Sequence, residues 1–168
     1  MTRAATPLTR EAALSVLDEV MDPEVPVLSV VELGIVRAVE VDDDRVTVTL
    51  TPTYSGCPAM RAIEEDIERA LLARGAAQVD VRISYSPAWT TDWIPAEARE
   101  KLRAYGIAPP APSDHDALVA IGRRRTAVRC PYCGSTSTDL RSEFGSTACK
   151  AIHVCRSCQQ PFEEFKPI

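Results

Sequence analysis

Five of the six cysteines fall within residues 130–158, CPYCGSTSTDLRSEFGSTACKAIHVCRSC, and the sixth, Cys57, stands far upstream in YSGCPAM. Cys130 and Cys133 form one pair with a two-residue gap and Cys155 and Cys158 another, with 21 residues between the pairs. A two-residue gap lets a tight turn aim both sulfurs at one ion, and two such turns supply the corners of a tetrahedron. Thiolates select zinc or iron over hard cations. A structural zinc ribbon is the expected use. A rubredoxin-like iron centre that carries electrons is the alternative, because Gly134 in CPYCG frees the backbone to donate toward sulfur. The second pair, CRSCQQ, lacks the matching Pro and Gly. Four thiolates around a divalent ion leave a net charge of −2, which Arg123, Arg124, Arg125, Arg129, Lys150 and Arg156 are placed to offset. Cys149 and His153 lie inside the loop and are surplus to four ligands; each reads as a packed side chain or as an extra ligand.

Cys57 has a different setting. Pro58 suits the first position of a helix, which makes Cys57 the expected N-cap. A thiol there feels the positive end of the helix dipole and unpaired N–H groups, and both favour the thiolate. The same residue also fits a small buried side chain that starts a helix. Asp22 and Glu24, in MDPEVP, read either as an acid pair or metal ligands, or as a turn with two solvated carboxylates.

The elements that must position these groups follow from periodicity. Thr9 can cap a helix whose Ala13, Leu14, Leu17, Val20 and Met21 share a face. SVVELGIVRAVEV reads as a strand interrupted by Gly34, Asp42–Asp44 as a turn, and RVTVTLTPT as the antiparallel partner. Met60, Ile63, Ile67, Ala70 and Leu71 make the buried stripe of a second helix that Gly75 stops. QVDVRISYS alternates as a third strand, and a crossover of this length permits a parallel return. A third helix from about Pro95 ends at Gly106. The expected fold is α+β: an αββαβα domain with a three-stranded mixed sheet over residues 9–108, a Pro-rich linker over 109–122, and a four-cysteine ribbon over 123–168. Trp89 and Trp93 could serve the core or a partner surface.

Charge divides the chain in the same way. Residues 1–122 carry 11 Lys and Arg against 20 Asp and Glu, whereas residues 123–168 carry 8 against 4. The overall charge of −5, with no array of stacking aromatics, argues against nucleic acid as partner. Acidic residues occupy the start where a secretory signal would be apolar, and no apolar run approaches the roughly 18 residues of a membrane span. A cytoplasmic protein with thiols rather than disulfides is expected.

DPEVPVLSVVELGIVR, the hairpin and TYSGCPA together resemble the SufT-type domain of iron–sulfur assembly factors. The whole chain from about residue 9, with WTTDWIP and the tail CPYCGS…FGSTACKA…CRSC…PFEEFKPI, resembles the PaaD (PaaJ) subunit family of bacterial phenylacetyl-CoA epoxidase systems. The resemblance implies an accessory, non-catalytic role in phenylacetate catabolism, maturing or repairing the iron–sulfur or di-iron centres of the epoxidase. It implies as partners a di-iron oxygenase and a flavin/[2Fe–2S] reductase component. It maps cluster or iron handling onto Cys57, with Asp22 and Glu24 in the DPE segment. One thiolate cannot hold a cluster alone, so Cys149, a partner or a second copy in a homodimer would complete the shell. A purely structural subunit of the oxygenase is the remaining alternative.

Overall fold

The computed structural model describes residues 8–111 and 127–168. They fall into two units divided between Trp89 and Thr90. In the first unit, Thr9 Oγ1 accepts the Ala12 N–H at 3.2 Å and starts α1 (Arg10–Leu17), which buries Ala13, Val16 and Leu17.

The next stretch departs from the sequence expectation. Ser29–Gly34 is not strand. Ser29 Oγ accepts the Glu32 N–H at 3.0 Å and a Glu32 carboxylate oxygen accepts the Ser29 N–H at 3.1 Å, a reciprocal cap that curls the chain into a helical turn. Gly34, at φ 77°, leaves the turn by a backbone conformation that side chains disfavour. Strand β1 (Val36–Asp42) begins only there. It pairs antiparallel with β2 (Arg45–Leu50), Asp42 facing Arg45 and Val39 facing Val48, with an irregularity between Val36 and Ala38.

Helix α2 (Met60–Ala73) turns Ile63, Ile67 and Leu71 inward and ends before Gly75. The chain returns as β3 (Gln78–Ile83), parallel to β2, so β2 is central in the order β1-β2-β3. Register puts Val39, Val48 and Val81 on one face with Val41, Val46 and Val79, while Glu40, Thr47 and Asp80 line the other. Val39, Val46, Val48 and Leu50 are buried, so the sheet is amphipathic as its alternation predicts. Trp89 is core rather than partner surface: it is buried and its Nε1–H donates to the Leu33 carbonyl at 3.1 Å.

The second unit opens with a 3₁₀ turn (Thr91–Trp93) and α3 (Ala96–Tyr105), which Gly106 ends in the left-handed region at φ 95°. Arg99 braces this corner by donating to the carbonyls of Ile94, Thr91 and Pro110. Strands β4 (Ile107–Ala108), β5 (Thr138–Ser142), β6 (Lys150–Cys155) and β7 (Pro161–Phe165) form a sheet in the order β4-β7-β6-β5. Because β4 pairs in parallel with β7, residues 90–108 group with the cysteine-rich tail, although the sequence placed them with the first domain. Of the linker read over 109–122, residues 112–122 lie outside the described residues, as do Arg123, Arg124 and Arg125.

Candidate metal centre and the upstream cysteine

Each cysteine pair sits on a turn of the same construction. In the first, the Gly134 N–H donates to the Cys130 carbonyl at 2.9 Å and the Cys130 N–H to the Ser135 carbonyl at 2.9 Å. In the second, the Gln159 N–H donates to the Cys155 carbonyl at 3.0 Å and the Cys155 N–H to the Gln160 carbonyl at 3.0 Å. Gly134 has φ 75° and Gln159 has φ 62°. The missing glycine in CRSCQQ therefore marks no difference in geometry: Gln159 takes the left-handed conformation itself, steadied by its side-chain N–H on the Arg156 carbonyl at 2.7 Å. The turns are joined by Ser135 and Ser157, whose hydroxyls lie 2.8 Å apart.

All four sulfurs fall within 4.8 Å of one another, with Cys130–Cys158 at 3.7 Å and Cys133–Cys155 at 3.5 Å. Four thiolates at about 2.3 Å from one tetrahedral ion would be about 3.8 Å apart, so the quartet fits a zinc-sized ion. Cys130 and Cys155 are buried beside Ala108 and Phe162, with Val128 and Cys158 packed against them; Cys133 is exposed. Among the described residues this is the one group of three or more Cys, His, Asp or Glu side chains close enough to share an ion.

Backbone amides tune the sulfurs. The Cys158 N–H, with the Ser157 N–H and the thiols of Cys133 and Cys158, outweighs desolvation and lowers the Cys155 thiol to about 6. At Cys158 the Gln160 N–H favours thiolate, but desolvation and the sulfurs of Cys133, Cys155 and Cys130 overcome it and push this thiol up to about 12. Two of the basic side chains expected to offset the sulfur charge are committed elsewhere. Arg156 forms a two-pronged pair with Asp139 at 2.7 and 2.6 Å. Lys150 is buried and pairs with Glu163 at 3.2 Å. Among the described residues, Arg129 reaches a cysteine turn, donating to the Gly134 carbonyl at 2.8 Å.

The surplus side chains pack. His153 is buried, its Nε2 2.8 Å from Glu164 and its ring stacked on Phe162 at 5.5 Å between centroids. Cys149 is buried with its sulfur 3.1 Å from Thr147 Oγ1, and it is not among the four grouped sulfurs. The FGST segment between the pairs serves that sheet. Ser146 donates its N–H to Glu163 at 2.6 Å and its hydroxyl at 3.2 Å. A Cβ on Gly145 would fall 2.6 Å from a Glu163 oxygen and 3.2 Å from Lys150 Cβ. Sequence reasoning missed Gly145, Ser146 and Glu163; the available signal was the turn-forming composition of Gly-Ser-Thr.

Cys57 belongs to the first unit. It is half-buried, in a turn where its N–H donates to the Tyr54 carbonyl at 3.3 Å and its carbonyl accepts the Met60 N–H at 3.4 Å. It is not the N-cap, which falls at Ala59; Pro58 and Ala59 form a turn before the first helical residue, Met60. The thiol still precedes the positive end of α2, with no acidic side chain in the first helical turn. Asp22 is not solvated. It is buried, and its Oδ1 accepts the N–H groups of Glu24 and Val25 at 2.8 Å each, so the carboxylate shapes the DPEVP loop. Glu24 is half-buried. Neither carboxylate forms a three-ligand group with Cys57.

Fold and sites together describe an assembly-type α+β domain carried on one chain with a four-cysteine ribbon, and comparison with known proteins agrees. Residues 10–85 match the model for an iron–sulfur cluster assembly protein, and residues 114–166 match that for the PaaD zinc beta ribbon domain. The chain is 46% identical over 154 residues, 92% of its length and 90% of the relative's, to an Escherichia coli protein named for its assignment to the 1,2-phenylacetyl-CoA epoxidase as a subunit. It is 36% identical to an Fe-S protein maturation auxiliary factor of Porphyromonas gingivalis, over 56% of this chain and 90% of that one. Among solved structures, a conserved hypothetical protein of Thermotoga maritima superposes with a TM-score of 0.50 at 36% identity, covering 57% of this chain and 95% of that one. A Bacillus anthracis domain of unknown function gives a TM-score of 0.52 at 26% identity, covering 55% and 89%. The chain belongs to the PaaD family. Among the described residues no helix is long and apolar enough to cross a membrane.

Proposed function

We propose that this protein matures or repairs the iron centres of a phenylacetyl-CoA epoxidase, with Cys57 as the sulfur that meets the cargo. The observation that carries the reading is the unequal setting of the sulfurs on one chain: four converge within 4.8 Å of one another, two of them buried, and Cys57, outside that group, lies half-buried on a turn before a helix. A converged set of thiolates holds its ion, whereas a single accessible thiolate can accept iron or a cluster from one partner and yield it to another. The relatives named as Fe-S maturation factors support the same use of residues 10–85. The clients in this reading are the di-iron oxygenase and flavin/[2Fe–2S] reductase components, and the cytoplasm is the compartment.

Zinc in the Cys130, Cys133, Cys155 and Cys158 site keeps the ribbon folded. Since Asp22 spends one oxygen on two backbone amides, its part is to hold the loop, and the rest of the cargo shell comes from a partner or a second copy. Cys57→Ser should abolish phenylacetate-dependent growth and epoxidation in cells while the purified variant keeps one zinc per chain. Full epoxidation in that variant would remove the proposal. Purified wild type should be colourless once cargo is stripped; a red protein with one iron in the quartet that bleaches reversibly would instead support an electron carrier.

A further inference from the structure

The sheet of the first unit has two outer strands, and they are finished differently. On β1, the irregularity between Val36 and Ala38 breaks the ladder, and Arg10 Nε donates to the Val39 carbonyl at 3.1 Å. Bulges and capping side chains are how an edge is closed to further strands. On β3 the register is unbroken over all six residues and, among the described residues, the pairing is with β2 alone. Its inward-facing Val79 and Val81 are only half-buried, though their register neighbours Val46 and Val48 on β2 are fully covered.

Between this edge and α2 runs an open groove of about 460 Å³ lined by Arg61, Glu64, Glu65, Glu68, Val79 and Val81. Arg61 is spent on Glu65 at 2.9 Å. Glu64 and Glu68 have no ion-pair partner among the described residues, and they stand four apart on one helix, where like charges repel.

We propose that the β3 edge accepts an added strand from a partner protein, one that alternates Arg or Lys with short β-formers such as Thr. Its backbone would complete the β3 ladder. Its inward side chains would lay their aliphatic stems over Val79 and Val81 and carry their cations to Glu64 and Glu68. The outward positions would continue the polar face of Thr47 and Asp80. A second copy of this chain is the poorer occupant, because a two-fold pairing would set Glu64 and Glu68 against themselves. The strand would run beside the helix that follows Cys57, yet the inference does not depend on the cargo chemistry: peptide binding and the effect of Cys57→Ser can fail separately.

The test uses zinc-loaded, ¹⁵N-labelled full-length protein and an acetylated, amidated peptide of alternating Thr and Arg, matched to the six residues of β3. Amide shifts should centre on Gln78–Ile83 and on the Glu64–Glu68 turn, and binding should weaken with salt. Glu64→Lys combined with Glu68→Lys should weaken binding at least ~10-fold, or about 1.4 kcal/mol, and should gain affinity for a peptide of the same length that alternates Thr and Glu. A misfolded variant could not make that exchange. N-methylation of alternate peptide residues should abolish binding. Shifts elsewhere or none, unchanged affinity of the double variant, equal binding of the methylated peptide, or self-association through this edge would each overturn the proposal.

Discussion

The quartet in the second unit and the Cys57 turn in the first hold the same atom under opposite degrees of restraint. Around the quartet, two turns repeat one hydrogen-bond pattern, a serine pair links them, and amide N–H groups point at sulfur. Around Cys57 the flanking backbone bonds are long, at 3.3 and 3.4 Å, and the helix behind it has no side-chain cap. The difference teaches that sulfur count alone does not assign a role. A resident ion needs geometry fixed before it arrives, whereas a sulfur that exchanges cargo needs access and room to adjust.

The strongest way to break this comparison is to remove the ion. Chelation, or Cys155→Ser, should unfold the second unit, since structural zinc commonly supplies on the order of 10 kcal/mol to small domains. The amide signals of the first unit should survive; a ribbon that stays folded without metal would void the contrast. Acid should have the same effect through protons. The lowered Cys155 value contributes stability above its unfolded range, and that contribution is lost as pH falls through about 6. Cys158, raised to about 12, has the opposite sign and must surrender its proton to bind metal. Zinc affinity should therefore fall steadily with pH, most steeply near and below 6, as a colorimetric zinc-release titration would show.

Smaller changes sharpen the picture. Gly145→Ala should cost about 2 kcal/mol in denaturant unfolding of the second unit, because the new methyl displaces Glu163 from Ser146 and Lys150. Cys57→Ser should shift unfolding of the first unit by less than about 0.5 kcal/mol, since exchanging sulfur for oxygen on a half-buried turn residue removes little buried area. Gln159→Gly should stabilise the ribbon by roughly 0.5 kcal/mol, relief of the left-handed conformation slightly exceeding the added unfolded-state freedom. A destabilised Gln159→Gly would mean that its bond to Arg156 matters more than its backbone strain.

What could be read from residues alone was whatever short spacing enforces. Two cysteine pairs predict their own turns, clean alternation in RVTVTL and QVDVRI predicts the amphipathic sheet, and the length of the helical crossover permits its parallel return. Three things hid from that logic. VVELGIV is apolar enough to pass for strand, and only the Ser29–Glu32 pair, whose spacing is a capping signal, betrays the turn. The placement of residues 90–108 depends on two residues of β4 meeting a strand 56 positions later, which no local pattern announces. Burial of Asp22 is likewise tertiary: a carboxylate in a Pro-rich turn looks wet until the loop closes over it.

Of the four converged sulfurs, Cys133 alone belongs to an exposed residue. Peroxide or an alkylating reagent will therefore meet the ribbon there first, and conversion of that thiolate to a sulfenic acid would weaken its hold on a bound ion. Oxidative failure of this protein thus has a defined point of entry, and reducing, peroxide-free handling protects the fold as much as the chemistry.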